Sequence, residues 1–233
     1  MKKNKFRKRT CARSNINENI YVTFIVPLYN AEPYINNLIS NFEKQTCRSF
    51  KVVFVDDASR DNTLVILNSK CERSNFPYKI IELEINGGPG RARNIGMSYI
   101  ESKYFSFLDA DDSISENYVE AFIRENAKSQ SDIVVVSGYK VWNNGRKKEH
   151  YNINLYKVLA KDITAITCIA DCGSWGKFFH QSLWDKRMLG FPDGIRSEDL
   201  ATVPILYAKA RKLTVAPKAK YYYLQTTNSR SRT

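Results

Sequence analysis

The stretch Phe105-Ser-Phe-Leu-Asp-Ala-Asp-Asp112 is an apolar run that ends in three carboxylates within four residues. Tyr104 to Leu108 reads as a strand, because aromatic and apolar residues crowd a short segment closed by turn-forming residues. The acids therefore sit at the carboxyl end of a strand. Side chains two apart in extended backbone point the same way, so Asp109 and Asp111 can present oxygens to one point while Ala110 faces elsewhere. Hard divalent cations such as Mg²⁺ or Mn²⁺ favour this ligand type, and they complete their shell with the oxygens of a phosphorylated substrate. The alternative is that Asp111 and Asp112 cap a helix beginning near Ser115, which suits Asp112 and leaves Asp109 without a role.

Strand and helix patterns alternate on both sides of this stretch. Tyr21-Val-Thr-Phe-Ile-Val26 is a nearly continuous apolar, β-branched run, as expected of a strand covered on both faces, and Pro27 is expected to end it. Ile35, Leu38, Ile39 and Phe42 then recur at helical spacing. Lys51 to Val55 gives a second strand that stops at Asp56-Asp57-Ala-Ser59. Ser59 and Asp61 are candidate caps for a helix that turns Leu64, Leu67 and Cys71 inward, and Tyr78 to Leu83 gives a third strand.

Asn86-Gly-Gly-Pro-Gly-Arg-Ala-Arg-Asn-Ile-Gly96 follows as a glycine-rich loop opening a helix over about 92–100. Its free amides and two arginines suit an anion such as phosphate. The spacing is neither that of a dinucleotide fingerprint nor that of a Walker loop. Alternation of this kind predicts a parallel sheet with ligands outside the carboxyl ends of its strands. Pro27 to Asn30, Asp56 to Ser59, the glycine loop and the Asp109 cluster all fall at that edge.

Beyond the acids, Tyr118, Phe122 and Ile123 mark a helix and Asp132 to Ser137 a buried strand. Residues 138–151 read as a hairpin or extended excursion around Asn143-Asn-Gly145. A short helix is expected over 160–170. In Cys172-Gly-Ser-Trp-Gly-Lys-Phe-Phe-His180, Trp175 offers a flat apolar face for a sugar ring and Lys177 a cation for a phosphate, although Trp175 could equally be packing. His180 reads as a core or edge histidine. Ser197 is a natural cap for a helix running toward Ala210. Helix capping accounts for Glu198 and Asp199, yet a carboxylate at that position could also act as a general base. Leu213 to Pro217 reads as an edge strand, followed by Tyr221-Tyr-Tyr-Leu224.

Composition narrows the possibilities. With 233 residues, 43% of them hydrophobic, the chain can bury one α/β core. No run approaches the roughly 20 apolar residues of a membrane span, and the N-terminus lacks a signal-peptide core. Five cysteines (Cys11, Cys47, Cys71, Cys168, Cys172) without CxxC spacing, beside two histidines, argue against disulfide frameworks and zinc, and for a reduced cytoplasmic setting. The net charge of +12 is concentrated partly in Lys2, Lys3, Lys5, Arg7, Lys8, Arg9 and Arg13, ahead of the first acid, Glu18. Such a tail is attracted to anionic surfaces, including the inner face of the plasma membrane, or is simply solvated. Helix-turn-helix, zinc-finger and RNA-recognition signatures are missing, which disfavours a nucleic-acid partner.

Taken together, Val26-Pro-Leu-Tyr-Asn30, Val55-Asp-Asp-Ala-Ser59, the glycine-rich segment, Asp109-Ala-Asp111, Trp175-Gly-Lys177 and Ser197-Glu-Asp199 resemble the inverting family-2 glycosyltransferases of GT-A fold. The resemblance covers about 23–230. It implies an α/β GT-A fold with a mostly parallel central sheet flanked by helices and a small acceptor-side subregion. Residues 1–18 would then be a basic tail, 19–137 a nucleotide-sugar-binding half and 138–233 an acceptor-binding half.

By that resemblance Pro27 and Tyr29 line the base pocket, Asp57 accepts from the base of a UDP-sugar, and Asn86 and Arg93 hold the nucleotide. Asp109, Ala110 and Asp111 form the DxD motif of a Mn²⁺- or Mg²⁺-dependent enzyme, with Asp111 ahead of Asp109 as direct ligand. Asp199 is the expected base, Glu198 its acceptor-binding neighbour, and Trp175, Lys177 and Arg196 the acceptor side. The implied acceptor is a saccharide or lipid-linked chain of a surface polysaccharide. The pattern departs at Leu224, where relatives carry Arg, and at Thr227, where some carry His; Ser229 and Arg230 are candidates for the diphosphate. A different reading is a nucleotide- or polyanion-binding module of the same fold without turnover.

Overall fold

The computed structural model describes residues 20–142, 144–149 and 172–225. The helix expected over 160–170, the basic tail, Thr227, Ser229 and Arg230 lie outside them. The first part of the chain alternates as its pattern requires: β1 (Val22–Leu28), α1 (Ile35–Glu43), β2 (Phe50–Asp56), α2 (Thr63–Glu72), β3 (Tyr78–Glu82), α3 (Gly88–Met97) and β4 (Tyr104–Phe107). There follow β5 (Ser113–Ile114), α4 (Tyr118–Ser129), β6 (Ile133–Trp142), β7 (Lys147–Glu149), β8 (Lys177–His180), α5 (Asp199–Lys209) and β9 (Leu213–Gln225).

Among the described residues these strands form one sheet in the order β3-β2-β1-β4-β8-β6-β9-β5, with β7 paired to β6. β3, β2, β1 and β4 are parallel neighbours. The expected mostly parallel sheet is thus correct for this half, but the whole is mixed. β8 runs antiparallel between β4 and β6, and β5 and β7 are also antiparallel to their partners. One sheet runs through both expected halves, and the boundary at residue 137 falls inside β6.

Each face of the parallel half is covered as near-continuous apolar strands demand. On one face Phe24 packs edge-on to Phe42 of α1 at 5.3 Å, and Phe122 of α4 stacks on Phe178 of β8 at 3.8 Å. On the other, α3 lies so close that a Cβ on Gly96 would stand 2.5 Å from Ile25 Cγ2. Ile35, Leu38, Ile39 and Phe42 are buried as their spacing predicts.

Several boundaries differ from expectation for identifiable reasons. Pro27 does not end β1; the strand continues to Leu28, paired through Pro27 to Val55. β4 pairs only with Val22 through Ile25, so the missing proline N–H falls where that ladder has already stopped. Leu213 to Pro217 is not a separate strand. β9 continues to Gln225 along β6, interrupted by a register shift that leaves Pro217, Lys218 and Ala219 without ladder partners.

Candidate active site

The glycine-rich segment is the largest departure from expectation. Gly88-Pro89-Gly90-Arg91 is already helical, with Pro89 in the first turn of α3, a position where proline loses nothing because the first amides lack intrahelical partners. Those amides are taken by a residue of the chain itself. Asp57, 2% exposed, accepts from Gly87 N at 2.9 Å and from Gly88 N at 2.6 Å. The anion expected at this helix end is therefore the carboxylate of Asp57, and both its oxygens are engaged by backbone. Asn86 adds to the clasp by donating its side-chain amide to Asp57 O at 3.1 Å.

About 7–8 Å further along α3, by the rise of an α-helix, Arg93 projects into a cluster of acids. It is buried, and its Nη2 donates to Asp109 Oδ1 at 2.8 Å. Nη1 donates to Glu198 Oε1 and lies 3.4 Å from Asp199 Oδ1. Phe107 and Phe191 stand 5.9 and 5.5 Å from the guanidinium. Burial opposes the charge, but Asp109, Asp199 and Glu198 together hold the guanidinium above its ordinary pKa. Arg93, expected to hold a nucleotide, joins the carboxylate at the end of β4 to the two at the start of α5.

Asp199 sits at the first turn of α5, and its Oδ2 accepts from Ser174 N at 2.9 Å. Burial raises its pKa, and Arg93 opposes that rise. Ser174 Oγ and Arg93 Nε are both buried without a hydrogen-bond partner, so polar atoms that ordinarily demand one border the acids. Gly90 lets the segment after Phe191 lie against α3: a Cβ there would meet Pro192 O at 3.0 Å and Glu198 Cγ at 3.1 Å.

The acidic turn is held from the other side. Asp112 N donates to Asp109 O at 3.2 Å, and the buried Asp112 carboxylate accepts from Tyr221 OH at 2.6 Å and Leu224 N at 2.8 Å. Capping by Asp111 and Asp112 is removed as an alternative, since β5 intervenes and α4 starts only at Tyr118. Asp111 is half-buried. Burial, followed by repulsion from Asp109, pushes its carboxyl up to about 6. The described residues contain no group of three or more His, Cys, Asp or Glu placed to hold a metal. Asp109 and Asp111 nevertheless fit Mg²⁺ or Mn²⁺, which commonly take one or two carboxylates and draw their other oxygens from substrate and water.

Other expected residues divide. Asn86 and Arg196 line one cleft of about 570 Å³ over the first turn of α3, with Gly87 to Gly90, Pro192 and Ile195. A second, of about 850 Å³, lies between Asp56, Ser59, Arg60 and the segment Glu82 to Asn86. Pro27 and Tyr29 line neither, although Tyr29 is 39% exposed. Ala110 packs partly against the core. Trp175 is not an open platform: it is 9% exposed and stacks on Tyr221 and Tyr223 at 4.9 and 5.0 Å. Nor is Lys177 a cation presented to ligand. It is fully buried, donating to Gly173 O and Trp175 O at 2.7 and 3.1 Å. His180 caps a 3₁₀ turn through Ser182 N, as an edge histidine can. Sequence reasoning missed Ser174, Asp112 and Tyr221; of these only Asp112 carried a signal, its place in the acidic run.

Comparison with known proteins agrees with this architecture. The family described as Glycosyl transferase family 2 matches residues 23–189. The poly(ribitol-phosphate) β-N-acetylglucosaminyltransferase TarS of Staphylococcus aureus is 32% identical over 207 residues, 85% of this chain and 34% of that protein. The glycosyltransferase GlyA of Streptococcus pneumoniae is 27% identical over 224 residues, 91% of this chain and 31% of that protein. The chain thus spans about a third of the length of these relatives. A crystal structure of S. aureus TarS residues 1–349 with UDP-GlcNAc superposes with a TM-score of 0.76 at 28% identity, covering 88% of this chain and 59% of that one. The fold is therefore of the GT-A type, and the chain belongs to glycosyl transferase family 2.

Proposed function

We propose that the protein transfers a hexosyl or N-acetylhexosaminyl group from a UDP-sugar to a saccharide or lipid-linked acceptor of a cell-surface polymer, with inversion at the anomeric carbon. The single observation that carries this reading is the Arg93 bridge, in which one buried guanidinium brings together the partly exposed Asp109 and Asp199 from distant positions in the sequence. The relatives support the substrate class: TarS is named for poly(ribitol phosphate), and the TarS structure holds UDP-GlcNAc. A Bacillus spizizenii relative, 29% identical, is a poly(ribitol-phosphate) β-glucosyltransferase.

In this reading Asp199 takes the proton of the acceptor hydroxyl while that oxygen attacks the sugar carbon from the face opposite the diphosphate. Its raised pKa makes it a stronger base than an exposed aspartate. The Ser174 amide fixes one oxygen, leaving the other directed toward the cluster. Glu198 also binds Arg93 and offsets part of the lowering that the guanidinium imposes on the Asp199 carboxyl. Asp109 and Asp111 would hold the divalent cation, whose charge stabilises the departing diphosphate. Asp57 keeps Asn86 and the first turn of α3 in place beside the cleft that receives the donor.

The test is donor turnover. The parent chain with Mn²⁺ should hydrolyse or transfer from UDP-GlcNAc or UDP-glucose, and Asp199→Asn should lower the rate by a factor of about 10² or more, the usual contribution of a general base, with UDP affinity unchanged. A parent chain that binds UDP yet turns over neither donor would favour the module that binds without catalysis.

A further inference from the structure

Lys177 begins β8, in the centre of the sheet, and is fully buried. Lysine is rarely found so, because taking an ammonium out of water is costly unless partners take up its donors. Its backbone is fixed on two sides, by pairing with Val135 of β6 and by Ser106 Oγ, which donates to Lys177 O at 2.7 Å. Just ahead of it Gly176, at φ 68°, turns the chain sharply, in a conformation that residues with a Cβ seldom adopt. The turn brings the preceding loop within reach of the lysine's own side chain. Nζ donates to Gly173 O at 2.7 Å and to Trp175 O at 3.1 Å. These two carbonyls flank Ser174. A buried charge is a weak source of stability, so the clamp is better explained by what it holds.

The carbonyl of Gly173 and the amide of Ser174 belong to one peptide unit. A trans peptide is planar and points its C=O and N–H in opposite directions, so gripping Gly173 O at one end aims Ser174 N–H at the other. That N–H donates to Asp199 Oδ2 at 2.9 Å. Donation to the carbonyl also polarises the peptide and strengthens the bond its N–H makes. We propose that Lys177 is a positioning residue for Asp199, acting through the Gly173–Ser174 peptide to hold the carboxylate in one orientation at the start of α5. The proposal rests on the transferase reading above, in which Asp199 is the base. It gives a role to a cation that is closed off from solvent and meets no substrate. A lysine that merely supported β8 would have no special effect at Ser174, and the experiment separates the two.

The test follows hydrogen exchange at the Ser174 amide in the full chain. Lys177→Met removes the donors and keeps an unbranched side chain; it should speed that exchange about tenfold, the equivalent of losing one hydrogen bond to a charged group. Lys177→Gln, polar but too short for the clamp, carries the same expectation where Met prevents folding. Asp199→Ala should speed exchange to a similar extent. Combined with the change at 177 it should do little more than either alone, because both break one chain of contacts. Phe178→Leu is the comparator: it weakens the same strand by loosening the stack on Phe122, and should leave exchange at Ser174 close to that of the parent. With UDP-GlcNAc as donor, the change at 177 should lower kcat about tenfold, by the same hydrogen-bond equivalence, and leave the donor KM unchanged. Unaltered exchange in the Lys177 or Asp199 variants, additive effects of the two, equal acceleration by Phe178→Leu, or a raised donor KM in place of a lowered kcat would each overturn the proposal. A parent chain without donor turnover would defeat the transferase reading while leaving the exchange coupling measurable, so the two failures are distinguishable.

Discussion

Arg93 shows how much of a site can depend on one side chain. Its guanidinium is enclosed by acids from residues 16, 105 and 106 positions away, and removing it leaves buried carboxylates facing one another. Breaking a buried ion pair by deleting one partner typically costs about 3–5 kcal/mol, so Arg93→Ala should lower the urea midpoint by an amount of that order. Arg93→Lys should recover only part, because an ammonium cannot reproduce the planar fork. The neighbouring Asp199 gives a prediction in pH. Since burial raises its folded pKa, it stays protonated to a higher pH than an exposed aspartate and loses its base function there. The acid limb of kcat/KM should therefore lie above the ordinary aspartate value of about 3.9. A limb at or below that value would remove Asp199 as the titrating base. Asp109 and Asp199 were legible as separate positions at a strand end and a helix start. The guanidinium that joins them was not, because its partners are remote in sequence and an arginine after a glycine-rich turn reads equally well as a phosphate ligand.

At the scale of elements, the periodic segments and the β6–β7 hairpin were read correctly, and the glycine- and proline-containing boundaries were not. α1 and the first strands have unambiguous spacing, whereas Gly-Gly-Pro-Gly looks like loop until the Asp57 carboxylate is seen to satisfy the first amides of α3. The same helix depends on a glycine at its far end. Gly96→Ala would gain helix propensity of up to about 1 kcal/mol, but its Cβ would stand 2.5 Å from the buried Ile25 Cγ2 and 3.3 Å from Val55 Cγ2. Overpacking of a filled core costs about 1–3 kcal/mol, and calorimetry should show a net loss. β9 was divided in two by the same reasoning, since Pro217 and the following lysine break an alternation that resumes at Tyr221. The hydroxyl of Tyr221 secures the acidic turn. Tyr221→Phe leaves the buried Asp112 oxygen without its donor, and should destabilise by about 1–3 kcal/mol while weakening any cation-dependent donor binding.

The whole molecule combines two half-sheets of different character; strands were expected in both, but only the direction of the first half was read from the pattern. A mostly parallel α/β reading follows from regular strand–helix alternation up to residue 109. Nothing in Lys177 to His180 announces a strand that returns antiparallel into the sheet centre. Ligand linkage tests the assembled site. UDP should raise the thermal midpoint further with Mn²⁺ than without it, because a ligand that binds only the folded state stabilises it by mass action. Asp111→Asn should abolish that increment and preserve the shift from UDP alone; an undiminished increment would place the cation elsewhere.

β8 has a consequence for biosynthesis as well. It pairs with β4 through Tyr104 and Phe105 and with β6 through Ile133 to Val135, and Phe178 closes the aromatic stack on Phe122. A growing polypeptide that has emerged from the ribosome only as far as α4 therefore presents β4 with a bare, phenylalanine-rich border, the kind of edge that recruits chaperones or aggregates. Translation must proceed past His180 before the N-terminal half can bury its own flank, which ties the order of synthesis to the order in which the catalytic acids can meet.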